Sequence, residues 1–324
     1  MPINEVRNTV LAIVNKNNYG YISPQDFNLY CQQAQMSIFE DYFYAYNNQI
    51  VKENQRTSGT GYADITKGLV EVIDGFSATQ TLINNGANLF SLPSNYYLIN
   101  KLNYYPIIVA SGNITLNAAF TINDTGATFV TSGVVAGQLV SSTSKDGVTA
   151  GQSAYITSVN SETSLSITVD LFSKVSTIGG SYTIVLGNGI VEVERVNQHK
   201  IFYLKSSPLT SPSTGYPAYV LGNATTTGYG NIINVYPETL TTPGTIFAQY
   251  VRYPIDPKWT YVEIVSGEPV FSASQDDYQD FELPLSDEPA LIAKICKYVG
   301  IEIREQDVFQ FGANELQSEQ QTQR

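Results

Sequence analysis

The stretch SPQDFNLYCQQAQMSIFEDYFYAYNNQIVK, Ser23 to Lys52, sets the fold of the chain around it. Ser23 is suited to cap a helix, Pro24 to its first position, and Asp26 to its positive N-terminal dipole. No Gly or Pro follows before Lys52. At the helical rise this predicts a rod of about 45 Å. Phe27, Cys31, Ala34, Ile38, Tyr42 and Ala45 recur at helical spacing and form one apolar stripe. Met36, Phe39, Phe43, Tyr46 and Ile50 form a second. One stripe suffices to dock a helix on its own core, so two predict either a central helix or one shared with a neighbouring subunit.

The full chain has 324 residues, enough for one large domain or two smaller ones. Its 17 Lys+Arg against 29 Asp+Glu give a net charge of -12, which argues against a broad nucleic-acid-binding surface. Only 14% of residues are charged while 23 are Tyr, a composition that fits extensive contact surface. Cys31 and Cys296 lie far apart on predicted helices, giving neither a disulfide framework nor a zinc spacing. Thr9–Val14 is too short for a signal-peptide core, and no run reaches transmembrane length. The expectation is a soluble, non-secreted chain that needs no membrane.

Around the long helix, Asn4 is suited to cap a first helix to about Lys16, and Asn17-Asn18-Tyr19-Gly20 to turn it into an antiparallel helix pair. Ile65–Phe76 predicts a short helix; Thr79–Ile83 and the aromatic run Tyr96–Tyr105 follow as extended chain. From Ile107 helix formers thin out. Ala127–Val130, Gln138–Ser142, Ala154–Val159, Leu165–Val169 and Tyr182–Leu186 then alternate between turn signals. Because a Tyr-rich style flanks this region on both sides, it reads as an inserted small barrel or sandwich. Val191–Val196, Lys200–Leu204, Ala218–Leu221, Ile232–Tyr236 and Ile246–Tyr253 predict further strands. Leu285–Val299 predicts a helix that Gly300 stops, and Gln306–Arg324 a polar tail.

The expected class is α+β: an N-terminal long-helix pair and a C-terminal helix with a mainly antiparallel sheet region, plus an inserted all-β module. The expected divisions are 1–105, a helical and mixed part of the core domain; 106–187, the insertion; 188–284, the β part of the core; and 285–324, the helix and tail.

Chemistry-bearing motifs are few. His199, in NQHKIF, is the chain's single His, so two-His metal sites are excluded and no nucleophile motif accompanies it. Asp276, Asp277, Asp280 and Glu282 cluster, but without the central Gly and terminal Glu of a calcium loop, so they predict a solvated or interface-facing patch. Glu192 and Glu194 alternate with Val191 and Val193 and predict the outer face of a strand. GNGIVEVE and TSGTGYAD lack the Lys of a P-loop. The expectation is no enzyme, no catalytic, cofactor-binding or metal-binding residue, and no cofactor. Tyr155 and Tyr182 are weighed as glycan-stacking residues, against ordinary β-surface or core aromatics.

Three stretches resemble structural proteins of tailed bacteriophages, the crAss-like group in particular: NKNNYGYISPQDFNLYCQQAQMSIFEDYF, Tyr250–Trp259, and FELPLSDEPALIAKICKYVGIEIREQDV. The nearest likeness is to the head–tail connector (adaptor or ring) protein beneath the portal, over 1–105 and 188–315. The resemblance implies a ring of twelve copies in the virion neck, continuing the DNA ejection channel and joining capsid to tail, with assembly in the host cytoplasm. Implied partners are copies of the chain, the portal protein, other neck and tail proteins, and passing DNA without sequence readout. The acidic balance suits such a channel. Expected interface residues are Met36, Phe39, Phe43, Tyr46 and Ile50, with Phe309, Phe311 and Leu316 in the tail. The alternative is a receptor- or glycan-binding tail protein acting through the insertion, and behind it a carboxylate-pair hydrolase.

Overall fold

The structure is a computed structural model that describes residues 1–14, 22–55, 63–143, 152–171, 180–187, 189–222, 231–263, 269–302, 310, 312–315 and 317. Its class is α+β with a β module. Two compact units emerge, Met1–Phe76 with Tyr253–Arg324, and Ser77–Arg252.

The first unit opens with α1 (Ile3–Val14), whose Ile3, Val6, Val10 and Val14 are buried at helical spacing. Its N-terminus is not capped by Asn4. The Ile3 amide donates to Asp280 at 2.8 Å, while Asn4 Oδ1 accepts from Trp259 Nε1 at 3.1 Å. A residue distant in sequence therefore supplies the cap. Helix α2 (Pro24–Gln55) does begin as its sequence dictates: the Asp26 amide donates to Ser23 Oγ at 3.1 Å. Its 32 residues make a rod of about 48 Å. Phe27, Cys31, Ala34 and Ile38 are buried along one side, and so are Gln35 and Phe39. The Gln35 amide is satisfied at both ends, donating to the Ile255 carbonyl (2.8 Å) and accepting from the Glu282 amide (3.1 Å). Helix α3 (Ala63–Asp74) packs on α2, and Phe76 just beyond it meets Phe39 edge-on at 5.1 Å.

The second unit is built from strands. β1 (Ser77–Thr81), β2 (Ile83–Gly86), β3 (Leu89–Ser91) and β4 (Tyr96–Tyr104) come first. A run of seven follows: β5 (Ile108–Asn113), β6 (Leu116–Ala118), β7 (Thr121–Asn123), β8 (Leu139–Ser142), β9 (Ser153–Val159), β10 (Ser164–Ile167) and β11 (Ser181–Val185). Then come β12 (Val191–Arg195), α4 (Gln198–Ser206), β13 (Ala218–Gly222), β14 (Ile232–Tyr236) and β15 (Ile246–Arg252). The larger sheet has the order β1-β15-β4-β12-β13-β14-β3-β2, antiparallel except where β12 meets β13. The smaller, drawn wholly from 108–185, has the order β5-β11-β8-β9-β10-β7-β6.

Both sheets close by one device. β1 and β2 are consecutive in the chain yet lie at opposite edges of their sheet, so the sheet must curl until those edges meet at Leu82. Leu82 is buried there and donates its amide to Ile246 of β15, while Ile83 already pairs with Ser91 of β3. In the smaller sheet β5 and β6 are likewise consecutive and at opposite edges. The Ile114 amide bonds Gly180 and that of Thr115 bonds Asn123, on the two sides of the seam. A run of chain bent in its middle thus serves both edges of each sheet and leaves little edge exposed to stray pairing. Leu82, Phe90, Leu102, Val193, Ile233 and Ile246 fill the larger enclosure. Ile122, Phe129, Val140, Ile156, Leu165 and Ile184 fill the smaller.

The two enclosures are joined within the unit through Leu139, Val185 and Phe247, with Tyr105 edge-on to Phe247 at 4.7 Å. Gly244 sits at this seam with φ +79°, and a Cβ there would lie 2.7 Å from Ser141 Oγ and 2.9 Å from Thr183 Cβ. Only glycine permits that approach.

The first unit is completed by the hairpin β16 (Tyr261–Glu263) and β17 (Pro269–Phe271), and by α5 (Glu288–Glu302) after a 3₁₀ turn at Leu285–Asp287. The expected antiparallel pair of α1 with α2 is not the organising contact. Each packs on α5, whose Leu291, Ile295, Cys296 and Val299 are fully buried. Trp259, also buried, lies under the Arg7 guanidinium at 3.9 Å.

Further sequence expectations are corrected. Ala127–Val130 is a turn rather than a strand; Phe129 plugs the small core, and the Glu162 carboxylate accepts from the Val130 and Thr131 amides and the Thr131 hydroxyl. Lys200–Leu204 belongs to helix α4. Gly300 does not stop α5, which runs to Glu302. The two compact units divide at 76/77 and 252/253, and the smaller sheet, 108–185, falls wholly within the segment 106–187 expected as an insertion.

Candidate functional site

The carboxylate cluster after Ser274 is built into the fold. Asp280 accepts the Ile3 amide and the Tyr278 hydroxyl, the latter at 2.7 Å; Asp277 pairs with Lys258; Glu282 accepts the Ile255 amide at 2.8 Å. Lys258 hydrogen-bonded to Asp277 holds that carboxyl below the usual range. Asp276 stays exposed. These groups tie loops and a helix end together, as their local bonding requires. Among the described residues no three His, Cys, Asp or Glu gather as a metal site. His199 lies exposed in the first turn of α4. Glu192, outward as expected, pairs with Lys101 at 2.8 Å.

The expected interface stripe on α2 is not outward as a whole. Phe39 is fully buried, edge-on to Phe43 at 5.1 Å and tilted against Tyr253 at 6.1 Å; it is a core residue of the first unit. Met36, Phe43, Tyr46 and Ile50 are half-buried. The side of α2 turned to solvent instead carries Leu29, Tyr44 and Val51, of which Tyr44 is 70% exposed. Phe309, Phe311 and Leu316 lie outside the described residues.

Of the two tyrosines weighed for sugar stacking, Tyr182 is core: its hydroxyl donates to buried Asp124 at 2.8 Å, and burial followed by that carboxylate pushes its pKa up. Tyr155 stands outward on β9. Nearby in the sheet, Phe120 joins β6 to β7 with φ +56° and its ring exposed, a conformation uncommon for a bulky residue.

Two features escaped the sequence reading. Helix α4 buries only Ile201, while Phe202 and Tyr203 are exposed, and the loop after it exposes Leu209 (95%) and Tyr216 (85%). Asn197, which sits at the N-cap position, was the signal that could have revealed a helix there. In the other unit, Leu285, Ser286, Glu288, Pro289, Ile292, Ala293 and Glu315 line an open groove of about 400 Å³ at the start of α5. Gly312 packs close against α5, where a Cβ would lie 2.6 Å from the Ala293 carbonyl.

No family model and no curated protein matches the chain. Among solved structures it is similar to the endosialidase of phage phi92, at 14% identity and a TM-score of 0.16, covering 41% of this chain and 21% of that one. The chain thus spans about a fifth of that protein's length, and a likeness this low carries no function across. Within the described residues, no helix is long and apolar enough to cross a membrane.

Proposed function

We propose that this chain is a structural subunit of a phage virion that associates with copies of itself into a ring of the head–tail connector, beneath the portal. Its role there is to continue the DNA channel and to join capsid to tail without catalysis. The observation that carries the reading is the apolar surface left in solvent on two helices, Leu29, Tyr44 and Val51 on α2 and Phe202 and Tyr203 on α4. Adjacent exposed apolar side chains, as Phe202 and Tyr203 are on α4, mark contact surface more strongly than single ones. The three stretches resembling connector proteins give that contact its setting, and a net charge of -12 suits a conduit to which DNA must not adhere.

The test is the mass of the purified protein by light scattering, alone and with the portal protein of the same virus, with both samples imaged by negative stain. Rings, spontaneous or formed on the portal, are expected. A monomer or trimer that ignores the portal overturns the reading. A second reading, a glycan-binding tail protein, rests on exposed Tyr155 and Phe120 in the β module. It predicts saccharide binding that Tyr155→Ala together with Phe120→Ala abolishes in the full chain.

A further inference from the structure

From Arg195 to Pro237 the sequence contains no Asp or Glu, although the chain holds 29 acids; its charges are Arg195, Lys200 and Lys205. Helix α4 lies in this run. Lys205 pairs with Glu238, but Lys200 is exposed and has no ion-pair partner among the described residues. On the same helix Phe202 and Tyr203 stand 71% and 74% exposed. A nine-residue helix that buries one isoleucine and offers two aromatic rings and a cation to solvent is a knob without its socket.

The run from Asp276 to Glu288 is the converse: six carboxylates, Asp276, Asp277, Asp280, Glu282, Asp287 and Glu288, and no cation. At its end is the groove of about 400 Å³, with an apolar lining of Leu285, Pro289, Ile292 and Ala293. Glu288 and Glu315 also line it, and neither has an ion-pair partner among the described residues. Leu285 is 68% exposed. An apolar groove bearing carboxylates fits an aromatic pair flanked by a lysine in both chemistry and sign.

We propose that Phe202 and Tyr203 of one copy enter the α5 groove of the next, with Lys200 facing Glu288. This rests on the self-association reading and specifies its contact. Because knob and groove are different surfaces, the contact is heterologous: it repeats head to tail and closes into a ring when the rotation permits. The two aromatics play the anchoring part that buried Tyr and Phe play in other interfaces, and the charges set polarity and exclude the reverse pairing.

The test uses the full-length protein and association measured by light scattering and sedimentation over a range of concentrations. Lys200→Glu alone places a glutamate against Glu288, and Glu288→Lys alone places a lysine against Lys200. Each is expected to weaken association by roughly tenfold or more. Mixed in equal amounts, the two variants can alternate, every junction again pairing opposite charges, and assembly should return to near the wild-type level. Phe202→Ser with Tyr203→Ser, all at exposed positions, should abolish association, as should Leu285→Asp, with unchanged circular dichroism. A wild-type protein that assembles while the mixture stays as weak as its components overturns this contact and leaves self-association standing. A wild type that remains monomeric in isolation also overturns it, and the portal experiment then decides self-association separately.

Discussion

Phe39 was expected on a subunit interface and is found in the core, so its truncation distinguishes the two placements. Its ring is fully buried and meets Phe43 and Phe76 edge-on, both at 5.1 Å, and Tyr253 at 6.1 Å. Phe39→Ala removes a buried ring and leaves a cavity, a change that costs about 3–5 kcal/mol. Losing two edge-to-face partners places the expectation in the upper half of that range, about 4–5 kcal/mol. The control is Tyr44→Ala, five positions along α2 and 70% exposed, with an expected change under about 0.5 kcal/mol. Trp259 makes the assay specific: it is the chain's single Trp, it is buried, and it belongs to the same unit. Its fluorescence during urea unfolding reports that unit. Cys31 and Cys296, also buried there, give a second probe through thiol labelling. Burial pushes the Cys31 thiol well up and that of Cys296 up to about 11, so both should resist labelling until the unit opens. A Phe39→Ala loss below about 1 kcal/mol, or a larger loss from Tyr44→Ala, would refute the core placement. Phe39→Asp should prevent this unit from folding, because it buries an unpaired charge.

Two further outcomes concern the β module. Tyr182→Phe deletes the hydroxyl that donates to buried Asp124, and the unmatched carboxylate oxygen should cost about 1–3 kcal/mol; unchanged stability by circular dichroism would show that the bond contributes nothing. Glu162 carries an acid-dependent contribution, since the Thr131 hydroxyl and amide hold its pKa below the ordinary value. A lowered folded pKa means stabilisation that is complete above the ordinary Glu range and lost as pH falls through the folded value. Glu162→Gln should therefore flatten the acid limb of the melting-temperature profile. A variant with the wild-type slope would remove Glu162 as its source.

The sequence alone determined most local structure. Ser23, Pro24 and Asp26 start α2 where they should, because capping depends on residues within one turn. The alternating runs at Ala154–Val159, Ile232–Tyr236 and Ile246–Tyr253 become β9, β14 and β15, since period-two burial is written in neighbouring residues. Only the tertiary structure decided what depends on partners distant in the chain. Asp280 caps α1 in place of Asn4, and Gln35 is buried because Ile255 and Glu282 meet both ends of its amide. Phe39 turns inward because Phe76 and Tyr253 are there to receive it. The exposure of Phe202 and Tyr203 was equally hidden: a short alternating run reads as strand or helix alike, and which side faces solvent depends on where β13 lies. Periodicity names the sides of an element, and the fold alone decides which of them is left without a partner.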